Sequence, residues 1–250
     1  MQKDNVFYVK VPSAAMYNML GEVSDEVLFG WELTTVGEPR DGRIYCKTDY
    51  GYSGYVNTEC LGKKGRGEYI ITSRFCPALE KPMYIGKKIF LLPYGARVNI
   101  TEDGEKFSRA EYEDGEFFVP SVHISKVKKE PPTVKSILDT ASMYLDTPYV
   151  WGGKSTFGTD CSGLCFMAYY LNGIKIYRDS CFSFYEDYAE EKNDLKPCDL
   201  VFYKGHVALY IGSGKIIHSN SRDGKVALGD VDHAEIVGCA DMERIVSLYK

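Results

Sequence analysis

No stretch of these 250 residues reads as a segment that carries a protein into or across a membrane. Its start, MQKDNVFYVK, has no apolar run of the kind a secretion signal needs, and no later stretch approaches the roughly 20 apolar residues that span a bilayer. The expectation is a cytoplasmic protein with no membrane insertion, secreted only if an export segment had been removed. Excess positive charge is also missing: 30 Lys and Arg against 35 Asp and Glu leave −5. That balance offers no support for binding nucleic acid or an anionic membrane. Nor is there a regular disulfide framework. Eight cysteines are scattered without paired spacing, and a reducing compartment is the simpler setting. Metal-finger spacing is incomplete as well. Cys161, Cys165, His206 and His218 make a nominal Cys₂His₂ set, but neither half has the finger separation, so no metal or other cofactor is expected.

What is present is one cysteine placed where an apolar helix begins. From Cys161 the chain reads CSGLCFMAYYLNG, with Cys161, Leu164, Cys165, Ala168 and Tyr169 on one helical stripe. Thr159 or Asp160 suits the start, and Asn172-Gly173 suits the stop. In the first turn, free backbone N–H groups and the positive end of the helix dipole favour a negative sulfur, the nucleophilic form of a thiol. A lone cysteine is more often a small core residue, so the reading depends on partners.

Two histidines supply them. Residues 204–220, KGHVALYIGSGKIIHSN, read as two strands joined by a Gly-Ser-Gly turn. A hairpin centred on Ser213 sets Ala208 opposite His218 and His206 opposite Asn220, with both histidines on one sheet face as diagonal neighbours. His206 is then the base that takes the thiol proton and returns it to a leaving amine, and His218 orients the His206 ring. The Cys161 N–H and the Tyr149 hydroxyl are the candidate oxyanion donors. His123 and His233 have no such setting and read as surface residues.

Asp160 works against this scheme, since a carboxylate beside a thiol raises its pKa. It needs another partner. It either caps the helix or faces a cation such as the free amino terminus of a peptide.

The stretch PYVWGGKSTFGTDCSG at 148–163, with RDS at 178–180, LKPCDLVF at 195–202, HVALYIG at 206–212 and IIHS at 216–219, resembles the NlpC/p60 cysteine peptidases. The likeness runs from about residue 133 onward. It implies a papain-like α+β fold, with Cys161, His206 and His218 as nucleophile, base and orienting residue. It also implies hydrolysis of bacterial wall peptides between γ-D-glutamate and a diamino acid, lysine or diaminopimelate. Two positions depart from the pattern: Cys198 stands where glycine is common, and the run Cys181-Phe182-Ser183-Phe184 replaces the usual glutamine after RDS.

The N-terminal half is different in character. Residues 6 to about 128 hold short apolar runs broken by turn signals such as Asp41-Gly42, Gly51, Asp103-Gly104 and Asp114-Gly115, which suits small all-β barrels. One unit contains VLFGWELTTV, RIYCKT and GYSGYV; another contains IFLLPYGARVNI, FSRAEY and EFFVP. Each has an LFG or LPYG turn before alternating strands, a weak internal duplication. Both units resemble bacterial SH3-type domains. KVKKEPP at 126–132 has linker composition, and Val134, Ile137, Leu138, Ala141 and Leu145 then take helical spacing. The expected domains are residues 1–65, 66–130 and 131–250.

This order resembles the dipeptide-releasing subgroup of the family, whose substrates begin with a free L-alanine. The resemblance implies an amine-binding set of Asp160 and Ser162, with Tyr52, Trp151 and Glu22. Ordinary packing is the alternative for Tyr52 and Trp151 in a chain that is 14% aromatic. Murein peptides are the implied partner, in recycling of small wall peptides, and no obligate protein partner is inferred. Two other readings stand beside this one: a non-catalytic module that binds wall peptide, and a thiol-dependent acyltransferase.

Overall fold

The computed structural model describes residues 5–65, 67–113, 115–127 and 131–247, the side chains of residues 246 and 247 excepted. Asp114 of one expected turn and residues 128–130 of the expected linker lie outside them. The chain divides into two compact units, Met1–Lys128 and Lys129–Lys250.

The first unit contains two sheets of seven strands. In one, β1 (Asn5–Val9), β2 (Ser13–Tyr17), β3 (Val23–Leu28), β4 (Glu32–Arg40), β5 (Arg43–Thr48), β6 (Ser53–Asn57) and β7 (Leu61–Gly62) lie in the order β3-β2-β6-β5-β4-β1-β7. In the other, β8 (Tyr69–Ile71), β9 (Phe75–Leu79), β10 (Lys88–Pro93), β11 (Arg97–Glu102), β12 (Phe107–Tyr112), β13 (Gly115–Pro120) and β14 (Ile124–Lys126) lie in the order β10-β9-β13-β12-β11-β8-β14. The two orders are the same when the second set is counted from β8, so the duplication hinted at in the sequence is a duplication of topology. Alternation fixes each core: Ile44 and Cys46 point inward from β5, and Phe117 and Val119 from β13.

The corresponding turns of the two barrels meet. Trp31 Nε1 donates to the Gly95 carbonyl at 3.0 Å, and Arg97 N donates to the Phe29 carbonyl at 2.8 Å. Phe29 itself packs into the second core, among Ile71, Leu92, Val98 and Phe117. Gly30 lies between them at φ +73, and a Cβ there would come 2.1 Å from the Arg97 carbonyl oxygen. The LFGW segment therefore serves as the seam between barrels, which its sequence alone presents as an ordinary turn. His123, expected at the surface, is half-buried in the 3₁₀ turn Ser121–His123, where its carbonyl accepts from Thr72 N at 2.9 Å.

The second unit is α+β. It runs α1 (Val134–Ser142), β15 (Lys154–Ser155), β16 (Gly158–Thr159), α2 (Cys161–Tyr170), β17 (Leu200–Tyr203), β18 (His206–Gly212), β19 (Lys215–Asn220), β20 (Lys225–Asp230), β21 (Gly238–Ala240) and α3 (Met242–Ser247). Thr133 starts α1 through a reciprocal capping box with Ser136. The helix stops at Ser142, short of Leu145, which falls in the turn that follows. Five strands form an antiparallel sheet, β20-β19-β18-β17-β21, and α2 packs on β18 and β19. Residues 161–169 of α2 are all buried, so the helix is enclosed on every side where the sequence suggested one apolar stripe. Among the described residues no helix is long and apolar enough to cross a membrane. All eight cysteines are free.

Candidate active site

Asp160 is the residue that caps α2. Its Oδ1 accepts from Gly163 N at 2.6 Å, which sets Cys161 as the first helical residue. Gly163 must lack a side chain, because a Cβ there would meet the Gly153 carbonyl oxygen at 2.2 Å. The loop before the helix is thus pressed onto its first turn.

The loop is stitched down by Arg178, a residue the sequence placed in a motif without giving it a task. Arg178 is 2% exposed. Its Nη1 donates to Asp160 Oδ1 at 3.1 Å and to Ser162 Oγ at 2.8 Å; its Nη2 donates to the Gly152 and Gly153 carbonyls at 3.0 and 3.2 Å and to Asp160 Oδ2 at 3.3 Å. Gly152 N donates to Asp160 Oδ2 at 2.8 Å, and Ser162 Oγ to Asp160 Oδ1 at 3.2 Å. The cation that pairs with Asp160 is therefore part of the protein, though it only partly offsets the effect of that carboxylate on Cys161.

Away from the turn the hairpin has the expected register, with Leu209 paired to Ile217 and Tyr210 to Ile216; at the turn the register shifts and Gly212 pairs with Lys215, so the turn is centred between Ser213 and Gly214 and not on Ser213. His206 Nε2 and His218 Nδ1 are 3.0 Å apart, their rings edge to face. Ser219, on the opposite face of β19, donates to the Thr159 carbonyl at 2.7 Å. This bond, unforeseen in the sequence, ties the histidine strand to the residue two before Cys161. A second unforeseen partner is Asn220, whose Nδ2 is 3.0 Å from His218 Nε2.

Burial dominates the electrostatics. Cys161 is 7% exposed. Desolvation pushes its thiol above the ordinary value and the Asp160 charge adds to this, against the pull of the Val207 and Ser162 N–H groups and of the Arg178 charge. Burial, then the charge of His218, brings His206 down to about 4. His218 is also lowered, chiefly by burial. The resting pair is therefore neutral thiol and neutral imidazole, whereas the helix dipole alone suggested a thiolate. Near Cys161 stands Tyr149, half-buried and held by a bridge to Thr159. Burial and the Cys161 and Asp160 charges raise its hydroxyl, so it is present as a donor.

The low pKa of His206 has a consequence for stability. The folded chain keeps His206 neutral down to about pH 4, while the unfolded chain protonates it near 6.5. Between those values the unfolded state binds the extra proton. The contribution is thus complete above pH 6.5 and lost as pH falls toward 4, on the order of 3 kcal/mol for a shift of this size. Urea unfolding of the wild type and His206→Gln at several pH values is expected to show a shallower slope in the variant across that window. Parallel slopes would refute the assignment.

Beside the helix start opens a shallow pocket lined by Ser162, Tyr177, Asp179, Tyr185, Phe202 and Val207, among others. The aromatic run after RDS shapes it: Phe184 stacks on Tyr177 at 3.7 Å, and Phe182 rests on Phe202 at 5.4 Å. Cys198, the other departure, has φ +84, a region that favours glycine, and its sulfur is buried against the Val134 carbonyl. Trp151 is 70% exposed in the turn before Gly152. Tyr52 and Glu22 belong to the first unit. There the Tyr52 hydroxyl donates to the Ser24 carbonyl at 3.2 Å, and Glu22 accepts from Asn18 Nδ2 at 3.0 Å.

Comparison with known proteins gives consistent results. The model of the NlpC/P60 family matches residues 146–237. The chain is 30% identical over 233 residues to dipeptidyl-peptidase 6 of Lysinibacillus sphaericus, covering 84% of this chain and 85% of that protein. It is 37% identical over 113 residues to a gamma-D-glutamyl-L-lysine dipeptidyl-peptidase of Bacillus subtilis (strain 168), a match that takes in 42% of this chain and 38% of the relative. A crystal structure of an NlpC/P60 family protein from Bacillus cereus ATCC 10987 superposes with a TM-score of 0.80 at 20% identity, over 95% of this chain and 99% of that one, which speaks to the fold.

Proposed function

Because this chain belongs to the NlpC/P60 family and is a cysteine peptidase of peptidoglycan peptides, we propose that it cuts the γ-D-glutamyl bond to an L-diamino acid in short murein peptides with a free amino terminus. The observation that carries this reading is Cys161 at the start of α2, its sulfur met by the N–H of Val207, the residue after His206, together with the His206 and His218 rings 3.0 Å apart.

In this mechanism the Cys161 proton passes to His206 as the sulfur attacks the γ-carbonyl carbon. The oxyanion is received by the Cys161 N–H and the Tyr149 hydroxyl. Collapse returns the proton to the leaving diamino-acid nitrogen and leaves a thioester on Cys161, which water then hydrolyses with His206 as base. A neutral thiol and a neutral imidazole suit such a transfer, because the proton moves only as the carbonyl is attacked.

The peptide's ammonium finds its anion in the pocket beside Ser162. Asp160 answers Arg178 and holds Ser162 and the loop, and Asp179, which lines the pocket and is hydrogen-bonded by the Tyr177 hydroxyl, is the carboxylate we assign to the incoming amine. The B. subtilis and L. sphaericus relatives, named as dipeptidyl-peptidases, support the release of a dipeptide. We place the reaction in the cytoplasm, on peptides already freed from the wall.

Incubation with L-Ala-γ-D-Glu-L-Lys and its N-acetylated form, read by mass spectrometry, tests the proposal. The expected products from the free peptide are L-Ala-γ-D-Glu and lysine, with the acetylated peptide cut at least about tenfold more slowly, the worth of one lost charged contact. Equal cleavage of both would remove the free-amine requirement. Cleavage of neither would reject the activity.

A further inference from the structure

We infer that Asn220, clamped by Asp223, sets the tautomer of the His206 and His218 pair and holds the resting pair with its shared proton on His218 Nδ1. The catalytic meaning of this rests on the mechanism proposed above; the tautomer itself does not.

Asn220 ends β19, and Asp223 lies in the turn that leads to β20. Asp223 N donates to Asn220 Oδ1 at 2.7 Å, and Asn220 Nδ2 donates to Asp223 Oδ2 at 2.8 Å. Only the carbonyl oxygen can accept the first and only the NH₂ can make the second, so one neighbour fixes the amide at both ends. The other N–H of that NH₂ faces His218 Nε2 at 3.0 Å. A ring nitrogen facing a donor presents its lone pair. Neutral His218 therefore carries its proton on Nδ1 and gives it to His206 Nε2, 3.0 Å away. His206, accepting there, holds its own proton on Nδ1, the nitrogen that the mechanism proposed above assigns to Cys161.

Each donor thus points from Asn220 toward His206. Such a row is set to give a proton at the Cys161 end and not to take one. For His206 to act as base the pair must invert, with His206 Nε2–H donating to His218 Nδ1 and His218 Nε2–H donating outward. The two rings hold one proton each in both arrangements; solvent water carries one from His206 Nδ1 to His218 Nε2 as the central proton crosses. The outward donor then needs an acceptor. Asn220 provides one only by turning its amide over, which breaks both bonds to Asp223.

The surroundings leave this clamp as the decisive contact. Arg222 Nε bonds Asp223 Oδ1 at 3.2 Å, and Lys225 is engaged by Asp146 at 2.5 Å. From β20 the His218 ring meets Gly229, where a Cβ would stand 3.3 Å from Nε2, and the Tyr203 ring flanks His206. Burial keeps both histidines neutral near pH 7, so the tautomer is the state that matters there. The same turn accepts the Tyr149 N–H on the Gly224 carbonyl at 2.8 Å, which links the clamp to the loop bearing the proposed oxyanion donor.

Ring-nitrogen chemical shifts of the full chain labelled with ¹⁵N-histidine provide the test. Wild type at pH 7 is expected to show His218 protonated on Nδ1, and Asp223→Ala to move the proton toward Nε2. In the same variant, which keeps the backbone N–H of residue 223 and removes only the carboxylate bond, kcat/KM for the tripeptide is expected to rise about tenfold, roughly the worth of one hydrogen bond to a charged group. Asn220→Asp, with a fixed acceptor, is expected to put the His218 proton on Nε2 and to raise the acid limb of the pH profile by about one unit. A wild-type His218 protonated on Nε2, or an unmoved tautomer in both variants, would overturn the inference. A purely structural turn would lower kcat/KM in Asp223→Ala and leave the ring shifts in place. If wild type cuts no peptide, the mechanism fails while the shifts still decide the tautomer.

Discussion

Replacing Cys161 with serine is expected to lower kcat by on the order of 10⁴ or more while leaving the fold intact. The serine fits, because Cys161 sits 7% exposed in the first turn of a helix whose cap and seam involve its neighbours, not its sulfur. What changes is the proton. A serine hydroxyl is far less acidic than a thiol, and His206, held down to about 4 by burial and by His218, is a weak base. A weak base can help a thiol that loses its proton during attack, but it is ill matched to an alcohol. The variant should therefore bind peptide with unchanged affinity, unfold at an unchanged urea midpoint and turn over almost nothing. Retention of more than about 1% of kcat would remove Cys161 from the role of nucleophile.

The parts of this site that were legible in the sequence are those written in short-range patterns. The helix start at Thr159 or Asp160, the stop at Asn172-Gly173 and the hairpin about Ser213 depend on residues within a turn or two of one another; the structure selects Asp160 for the cap and keeps the hairpin register beyond a shift at the turn. Knowing the register was enough to bring His206 onto His218. Arg178 escaped because its meaning lies in a contact across 18 positions, with no spacing to announce it. Ser219 escaped for the same reason, its partner Thr159 being 60 positions away. The resting protonation state escaped because a helix dipole can be read from sequence, whereas the burial that outweighs it cannot. In the first unit the alternating strands and the duplicated turns were legible. That Phe29 leaves its own barrel to enter the core of the next was not, since a phenylalanine in a turn has the same sequence signature wherever its ring goes.

These contacts divide the site into a chemical row and a frame. The row is Cys161, His206, His218 and Asn220. The frame is Asp160, Arg178 and Ser162 on one side, and Ser219 on the other. Its work is to press residues 152–163 onto α2, which holds the start of the helix and its sulfur in place. An enzyme of this kind is sensitive to the frame as well as to the nucleophile, since small displacements of reacting groups are costly in rate.

Arg178→Met tests the frame, and the expected loss is about 3–5 kcal/mol of stability together with nearly all activity. The side chains of Arg178 and Asp160 are 1% and 10% exposed. Methionine fills most of the arginine's volume but leaves the Asp160 carboxylate buried without its cation and takes the Arg178 donors from the Gly152 carbonyl, from the Gly153 carbonyl, which keeps Asp160 N, and from the Ser162 hydroxyl, which keeps Asp160 Oδ1. The same change leaves the Asp160 charge to act on Cys161 unopposed by Arg178, which pushes the thiol further up. Arg178→Lys retains a charge but not the planar fork that reaches two carbonyls and a carboxylate at once, so it is expected to fall between. The double variant Arg178→Met with Asp160→Asn removes both charges and should recover part of the lost stability, as expected where the cost lies in the stranded anion. Its activity should stay low, because the loop has lost its stitching. Urea unfolding and kcat/KM on the three variants separate these terms. An Arg178→Met protein within about 1 kcal/mol of wild type would show that the loop is held by something other than this ion pair.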